Sequence, residues 1–271
     1  EEYVHSPSSL LIFIALTLLV SIKLYVRDCE LSMRLHKLLE LLKTCNTDLV
    51  FTPYTTREYD LDINSTFSIA EKYVNQVFEQ DKFSFKEENL HLLRRMHCMC
   101  VKSSVLKENN YYQTEGISYT DTQFVFYSFL YGKTMIIFNL NIYQYCIGRN
   151  EQTTSKESII RCNMHFYQNA HRLLSEYSHI SINTSERKID NLKACIESEL
   201  SSFIYVVFDL IHDNKKQIKL LKELIQIGKN CNIPYYIEKE ITYNRHFRLW
   251  HKYRIPSSLS IIITKIIDSL R

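Results

Sequence analysis

The chain has 271 residues, with 33 lysines and arginines against 30 acidic residues, so its formal net charge is only +3. This small excess does not by itself imply a nucleic-acid partner, and a hydrophobic content of 45% is enough to build an ordinary core. Glycine and proline number four each, which excludes long linkers of the usual glycine- and proline-rich composition. The eight cysteines are scattered through predicted helices and strands, which favours free thiols in a reducing compartment over a disulfide framework.

The N-terminal segment is predicted to be a membrane anchor. No charged residue occurs from Ser6 to Ile22, and Lys23 can reach toward the headgroups, so residues 6–26 can span a bilayer. A buried core helix and a cleaved signal sequence are the alternatives, although Glu1 and Glu2 differ from the basic start of a secretory signal. Four basic residues follow the apolar stretch: Lys23, Arg27, Arg34 and Lys37. The positive-inside rule therefore predicts a single-pass protein whose bulk faces the cytosol, in a membrane that the sequence does not specify.

The sequence predicts three parts in the chain. Residues 1–27 form the anchor, residues 28–66 a helical stalk followed by an irregular connector, and residues 67–271 a soluble domain. The stalk helix rests on leucines at helical spacing, which run from Leu31 to Leu42. A polar stretch between Tyr177 and Arg187 suggests that the domain has two lobes, residues 67–178 and 188–271.

The first of these lobes is predicted to contain three helices and a hairpin. The helices are expected at residues 68–80, 84–106 and 154–177, where apolar side chains recur at helical spacing. The hairpin is expected to pair residues 123–130, which are apolar and aromatic, with residues 134–147, which alternate between apolar and polar.

The second lobe is predicted to begin with a helix at residues 189–200, where apolar side chains recur at helical spacing, and to continue with a strand–helix–strand unit. Phe203–Phe208 is a continuous apolar run of the kind found in strands buried on both faces. A helix is expected to follow from Asp213 or Asn214 to a stop at Gly228, and Tyr235–Ile237 is expected to form the second strand. The sequence thus predicts an α/β or α+β fold with a mixed sheet and a C-terminal βαβ unit.

Three acidic residues of this unit are candidate catalytic groups. Asp209 follows the first predicted strand, and Glu238 and Glu240 follow the second. Because open α/β sheets bind ligands at the carboxyl ends of their strands, these carboxylates are placed to hold a divalent cation, as in a nuclease. The alternative is that Asp209 and Asp213 cap the following helix. Since nucleotide-binding and hydrolase motifs are absent from the sequence, we lean against an enzyme and expect no cofactor.

A metal site is a weaker hypothesis. The segment Met96–Cys100 concentrates soft ligands, so Cys98 and Cys100, together with Cys162 and His165, are weak candidates for holding zinc. Nothing in the sequence sets the distance between these two pairs. Buried thiols on a core element remain the ordinary interpretation.

Residues 243–254 form the densest basic and aromatic cluster in the chain. Its candidate binding residues are Arg245, Arg248, Trp250, His251, Lys252 and Arg254. Such a cluster can hold phosphates and stack on bases, or lie on anionic lipid headgroups, or meet an acidic protein. The alternative is a solvated helix face whose aromatic residues belong to the core.

These patterns together favour a membrane-anchored adaptor, in which the anchor localises the domain and one surface recruits a protein partner. The alternatives are a nucleic-acid-binding protein that uses residues 243–254, and a metal-dependent nuclease or hydrolase that uses Asp209.

Overall fold

The computed structural model describes residues 29–58, 64–86, 89–147, 155–180, 183–211, 215–231, 244–256, 259–260 and 262–263. These residues form eight α-helices and two mixed β-sheets, which confirms the mixed α and β class. The chain divides into two units. The first takes residues 1–113, 124–150 and 185–191, and the second takes residues 114–123, 151–184 and 192–271.

The first unit contains both sheets. Its strands are β1 (Leu49–Phe51), β2 (Tyr54–Glu58), β3 (Asn64–Thr66), β4 (Val77–Glu79), β5 (Met99–Val101), β6 (Thr134–Ile137) and β7 (Tyr143–Ile147). One sheet has the order β4–β6–β1–β5, and the other has the order β3–β2–β7. In each sheet one pair is parallel, β1 with β6 and β2 with β7, while the other pairs are antiparallel. Its helices are α1 (Cys29–Thr44), α2 (Ser103–Lys107) and most of α3 (Asp121–Tyr131).

Helix α1 packs on the first of these sheets, as its leucine stripe requires. Leu38 and Leu42 are buried against Val50 in β1, Ile136 in β6 and Cys100 in β5. The predicted helix is therefore confirmed. The connector predicted after it is wrong in part, because β1, β2 and β3 fall within residues 49–66 and all three residues of β1 are buried. A three-residue strand is too short to show a period in the sequence.

The second unit is helical in the part of the chain that the structure describes. Its elements are α4 (Lys156–Arg161), α5 (Asn163–Tyr177), most of α6 (Glu186–Tyr205), a π-helix (Val206–Ile211), α7 (Lys215–Asn230) and α8 (Arg245–Tyr253). Helix α5 packs on α7, and the ring of Tyr167 in α5 lies 5.9 Å from that of Phe203 in α6. The fully buried residues of these three helices include Leu173, Leu174, Leu192, Ile196, Leu221 and Leu224. The helices predicted at 154–177 and 189–200 are confirmed as α4 with α5 and as α6.

The predicted βαβ unit is wrong in its first strand. Phe203–Phe208 spans the end of α6 and the start of the π-helix, and five of its six residues are buried there. A short apolar run fits a helix that is buried on several sides as well as a buried strand. Gly228 lies inside α7 rather than after it, and the second predicted strand, at 235–237, lies outside the described residues.

The predicted hairpin is also wrong. Residues 123–130 belong to α3, where Phe124, Phe126 and Phe129 are buried. Residues 134–147 form two strands, β6 and β7, which belong to different sheets. The helices predicted at 68–80 and 84–106 are replaced by short 3₁₀ turns, β4, β5 and α2. Phe83 and Phe85 are buried in this region, and their spacing in the sequence does not follow the period of a helix.

Among the residues that the structure describes, no helix is both long enough and apolar enough to cross a membrane. The anchor predicted at residues 6–26 lies outside these residues. The anchor, its orientation and the predicted domain boundaries therefore remain predictions.

Candidate functional site

Helix α8 carries most of the basic cluster and is held at its N-terminus by polar contacts. Asn244 caps the helix, since its Oδ1 accepts a hydrogen bond from the backbone N–H of Phe247 at 2.8 Å. The same side chain donates from Nδ2 to Oδ2 of Asp209 in the π-helix, at 2.7 Å. A capping residue and a π-helical carboxylate thus set the position of α8 together.

His246 adds a second polar connection at this end of α8. Its Nε2 lies 3.7 Å from Oδ1 of Asp209, and its Nδ1 lies 3.0 Å from Oγ of Ser260. Ser260 is fully buried, so this serine is not accessible to a substrate. The order Asp–His–Ser resembles a hydrolytic triad in composition, but the burial of Ser260 favours a structural contact that ties residues 259–260 to α8.

The aromatic face of α8 lies in the core of the second unit. Phe247 is fully buried and Trp250 is only 8% exposed. Their ring centroids lie 5.7 Å and 5.5 Å from that of Phe208 in the π-helix, and 5.8 Å from each other. Trp250, predicted as a binding residue, therefore anchors the helix in the core.

The charged face of α8 is open to solvent. Arg248, Lys252 and Arg254 are exposed, and His251 is half-buried. Arg254 ends the helix in the left-handed conformation, at φ 58°, and its N–H is bonded to carbonyls of the last turn. Arg245 opens the helix, and its side chain lies outside what the structure describes. Of the described candidate binding residues, Arg248, Lys252 and Arg254 are thus accessible to solvent.

Helix α7 extends this surface with lysines. Its exposed lysines are Lys215, Lys216, Lys219, Lys222 and Lys229, against a single acidic residue, Glu223. Lys222 Nζ lies 6.0 Å from the centroid of the Trp250 ring, which places α7 beside α8. We call the exposed basic side chains of α7 and α8 the basic surface.

The pKa of His251 reports the electrostatics of this surface. Burial lowers the pKa of the His251 imidazole, and the positive charges of Arg254 and Lys229 lower it further. His251 is therefore neutral at physiological pH, in a field set by cations from both helices. The same field attracts an anionic group on a partner.

The other candidates are not gathered at this site. Glu238 and Glu240, predicted to act with Asp209, lie outside the described residues. Cys98 and Cys100 belong to the first unit, and Cys162 and His165 belong to the second. Among the described residues, no group of three or more His, Cys, Asp or Glu side chains is arranged to hold a metal ion.

The four metal candidates have ordinary local roles. Burial raises the pKa of the Cys98 thiol, and burial raises the pKa of the Cys100 thiol to about 12, so both thiols are protonated at physiological pH. In the second unit, the backbone N–H of Ser118 donates to Nδ1 of His165 at 2.9 Å. The hydroxyl of Ser118 lies 4.0 Å from the sulfur of Cys162. This pair holds a loop against α5.

No known protein-family model matches this chain, and no curated protein matches it in sequence. Its function therefore has to be inferred from the chemistry of its own surface. The sequence did not predict that Lys222 and Lys229 lie near residues of α8, although the lysines of α7 recur there at regular spacing. Lys222 and Lys229 precede Arg248, Lys252 and Arg254 by 19 to 32 positions in the chain, and the fold places Lys222 over the ring of Trp250.

Proposed function

We propose that this chain is an interaction module, anchored in a membrane through residues 6–26, that recruits an acidic protein partner through the basic surface. The observation that carries the proposal is the division of α8, whose Phe247 and Trp250 side chains are buried while Arg248, Lys252 and Arg254 are exposed, together with the position of Lys222 of α7 over the Trp250 ring. Clustered exposed cations steer an acidic partner toward the surface and orient it during docking.

The burial of the aromatic rings favours a protein over a single-stranded nucleic acid. Proteins that bind single strands stack the bases on exposed aromatic side chains. Here Phe247 and Trp250 pack on Phe208, and Tyr253 is the exposed aromatic residue of the described part of α8. The basic surface therefore offers charge and hydrogen-bond donors with little provision for base stacking.

The contacts of Asp209 support a module rather than an enzyme. Its carboxylate accepts a hydrogen bond from the side-chain amide of Asn244 and faces the imidazole of His246. Both contacts position α8. A carboxylate committed to these contacts has less capacity to bind a divalent cation, which prefers several oxygen ligands. Asp209 thus serves the surface indirectly, by holding the helix that carries it.

Membrane attachment would make a weak electrostatic contact effective. Residues 6–22 lack charge, and basic residues follow them, as expected for an anchor whose cytosolic side lies after the span. Confining a module and its partner to one membrane raises their effective concentration, so that individually weak contacts suffice. The basic surface then sets which partner is retained.

The proposal is tested with three anionic probes offered to the full chain in nanodiscs of zwitterionic lipid. The probes are a glutamate-rich peptide, a 12-nucleotide single-stranded RNA and vesicles containing phosphatidylserine. We expect saturable peptide binding that is tighter than RNA binding at equal salt, with no recruitment of the vesicles. Tighter binding of RNA, or recruitment by vesicles alone, would move the function to the corresponding partner class and overturn the proposal.

A further inference from the structure

A cleft in the first unit has the features of a small-molecule site. It lies where the last turns of α1 approach β4 and the end of β6, and its volume is about 590 Å³. Ligand sites in proteins commonly have volumes of roughly 300–1,000 Å³ and combine an apolar lining with a few polar groups. All the residues that line this cleft belong to the same unit, and none of them takes part in the basic surface.

The floor and one wall of the cleft are apolar. Ile136 and Phe138 form the floor of the cleft, and both side chains are largely buried. Leu41 lines the cleft from α1, and Val77 lines it from the short edge strand β4. Val77 is 63% exposed and offers an apolar side chain at the rim.

The polar groups of the cleft divide into those already bonded and those available. Thr44 donates its hydroxyl to the Leu41 carbonyl, and Asn46 accepts a hydrogen bond from Lys102. Lys37, Asn75 and Asn139 also line the cleft, and none of their side chains has a hydrogen bond or ion pair within the described part of the chain. Lys37 is the only ionised side chain among the lining residues.

We propose that this cleft binds a single-chain anionic amphiphile, with the apolar tail over Ile136 and Phe138 and the anionic headgroup at Lys37. The charge of Lys37 selects an anion, the amides of Asn75 and Asn139 supply hydrogen bonds to its oxygens, and the exposed face of Val77 is covered by the tail. Carboxylate and phosphate monoester headgroups both present negative charge and acceptor oxygens to these three side chains.

Cys45 provides a direct readout, because this half-buried cysteine lines the cleft. The full chain in nanodiscs is treated with a maleimide, and alkylation is followed at each cysteine by peptide mass mapping. Octanoate and octyl phosphate are the anionic probes, and octyltrimethylammonium is the cationic probe of equal chain length. Cys162, which is half-buried in the second unit, is the internal reference thiol.

We expect the anionic probes to slow the alkylation of Cys45 saturably and to leave Cys162 unchanged. Protection by only one of them identifies the headgroup and supports the site. In Lys37→Glu the half-protecting concentration of octanoate should rise about tenfold, which corresponds to about 1.4 kcal/mol, and octyltrimethylammonium should begin to protect. The matched variant Lys107→Glu, in α2 and outside the cleft, should behave as wild type. Equal protection by the cationic probe in wild type, no protection by either anion, or no effect of Lys37→Glu would overturn the proposal.

Discussion

Asn244 donates its side-chain amide to the carboxylate of Asp209 at 2.7 Å while its carbonyl oxygen caps α8. One side chain thereby connects the first turn of the basic helix to the π-helix. π-Helical segments are rare and are often kept where a side chain must be placed for a function. Here the segment directs Asp209 toward the cap and Phe208 toward the aromatic face of α8.

We predict that Asp209→Ala destabilises the protein rather than abolishing a reaction. The side chain is about a quarter exposed, so we expect a loss of roughly 1 kcal/mol and a decrease in Tm of about 2–4 °C. Asn244→Ala should cost more, about 1–2 kcal/mol, because it removes the cap as well as the contact. Thermal unfolding of the two single variants and the double variant measures the coupling.

A double variant much less destabilised than the sum of the single variants indicates the expected connection. Additive effects would show that the two side chains act independently. An unchanged Tm in Asp209→Ala, combined with loss of a measurable activity, would instead favour the hydrolase hypothesis.

Truncation to alanine should destabilise the protein strongly at Trp250 and very little at Tyr253. Trp250 is buried against Phe208, whereas Tyr253 is 57% exposed at the end of the same helix. Trp250→Ala is expected to cost about 3–5 kcal/mol, and Tyr253→Ala is expected to stay within about 0.5 kcal/mol of wild type. Urea unfolding of both variants makes the comparison. Equal destabilisation would contradict the placement of Trp250 in the core.

Glu199 should make stability decrease as the pH rises. This α6 side chain is 3% exposed, and burial, together with the charge of Asp121, raises the pKa of its carboxyl to about 8, although a bond to Thr122 opposes the shift. The folded state therefore retains a proton that the unfolded chain releases above its ordinary pKa of 4.5. Between these values the free energy of unfolding should fall by up to about 1.4 kcal/mol per pH unit.

Glu199→Gln is the matched variant for this prediction. It keeps the shape of the side chain and cannot ionise, so its Tm relative to wild type should increase from pH 5 to pH 8. The measurement is a series of thermal unfolding curves in buffers of equal ionic strength. A difference in Tm that does not change with pH would contradict the buried neutral carboxyl.

His97 should act in the opposite direction, at lower pH. Its ring stacks on Tyr143 and Tyr145 of β7, and its Nε2 is buried with no hydrogen-bond partner among the described residues. Burial, and then the charge of Arg95, lower the pKa of the imidazole to about 4 from 6.5. Between pH 6.5 and pH 4 the imidazole is protonated in the unfolded chain and neutral in the folded state. The free energy of unfolding therefore decreases as the pH falls from 6.5 to 4.

The variant His97→Phe separates this contribution from that of Glu199. Phenylalanine preserves the ring stacking and has no proton to bind, so the variant should lose less stability than wild type between pH 6.5 and pH 4. Chemical unfolding at several pH values provides the comparison. Parallel pH profiles would show that His97 is accessible to protons in the folded state.

The sequence predicted long amphipathic helices better than it predicted strands. The stripe of α1 and the pattern of α6 extend over several turns, so their period is unambiguous. The run Phe203–Phe208 has no period, and the structure divides it between the last turn of α6, which ends at Tyr205, and the π-helix that follows. β1 and β5 have three residues each, and their pairing partners lie about 50 to 85 positions away.

The sequence predicted which residues belong to the basic cluster of α8, but it did not predict which of them are buried or which residues they contact. The basic residues of α8 were recognised from their density, whereas the burial of Trp250 depends on Phe208, which is 42 positions earlier in the chain. The sequence pattern placed Asp209 at the end of a strand. The structure places it beside Asn244, where its contacts explain the position of the helix better than they explain catalysis.

The most direct test of the central claim is the affinity of the full chain for a fluorescent glutamate-rich peptide, measured by anisotropy at two salt concentrations. Wild type is compared with Arg248→Glu/Lys252→Glu, which reverses two exposed charges of the basic surface. The control is Lys107→Glu/Lys156→Glu, which makes the same change in net charge at exposed positions on α2 and α4.

The account predicts saturable binding to wild type that weakens as salt rises from 50 to 200 mM, at least about tenfold weaker binding to the first double variant, and near wild-type binding to the control. Equal weakening in both double variants would show that net charge alone attracts the peptide. That result would contradict a specific basic surface on α7 and α8.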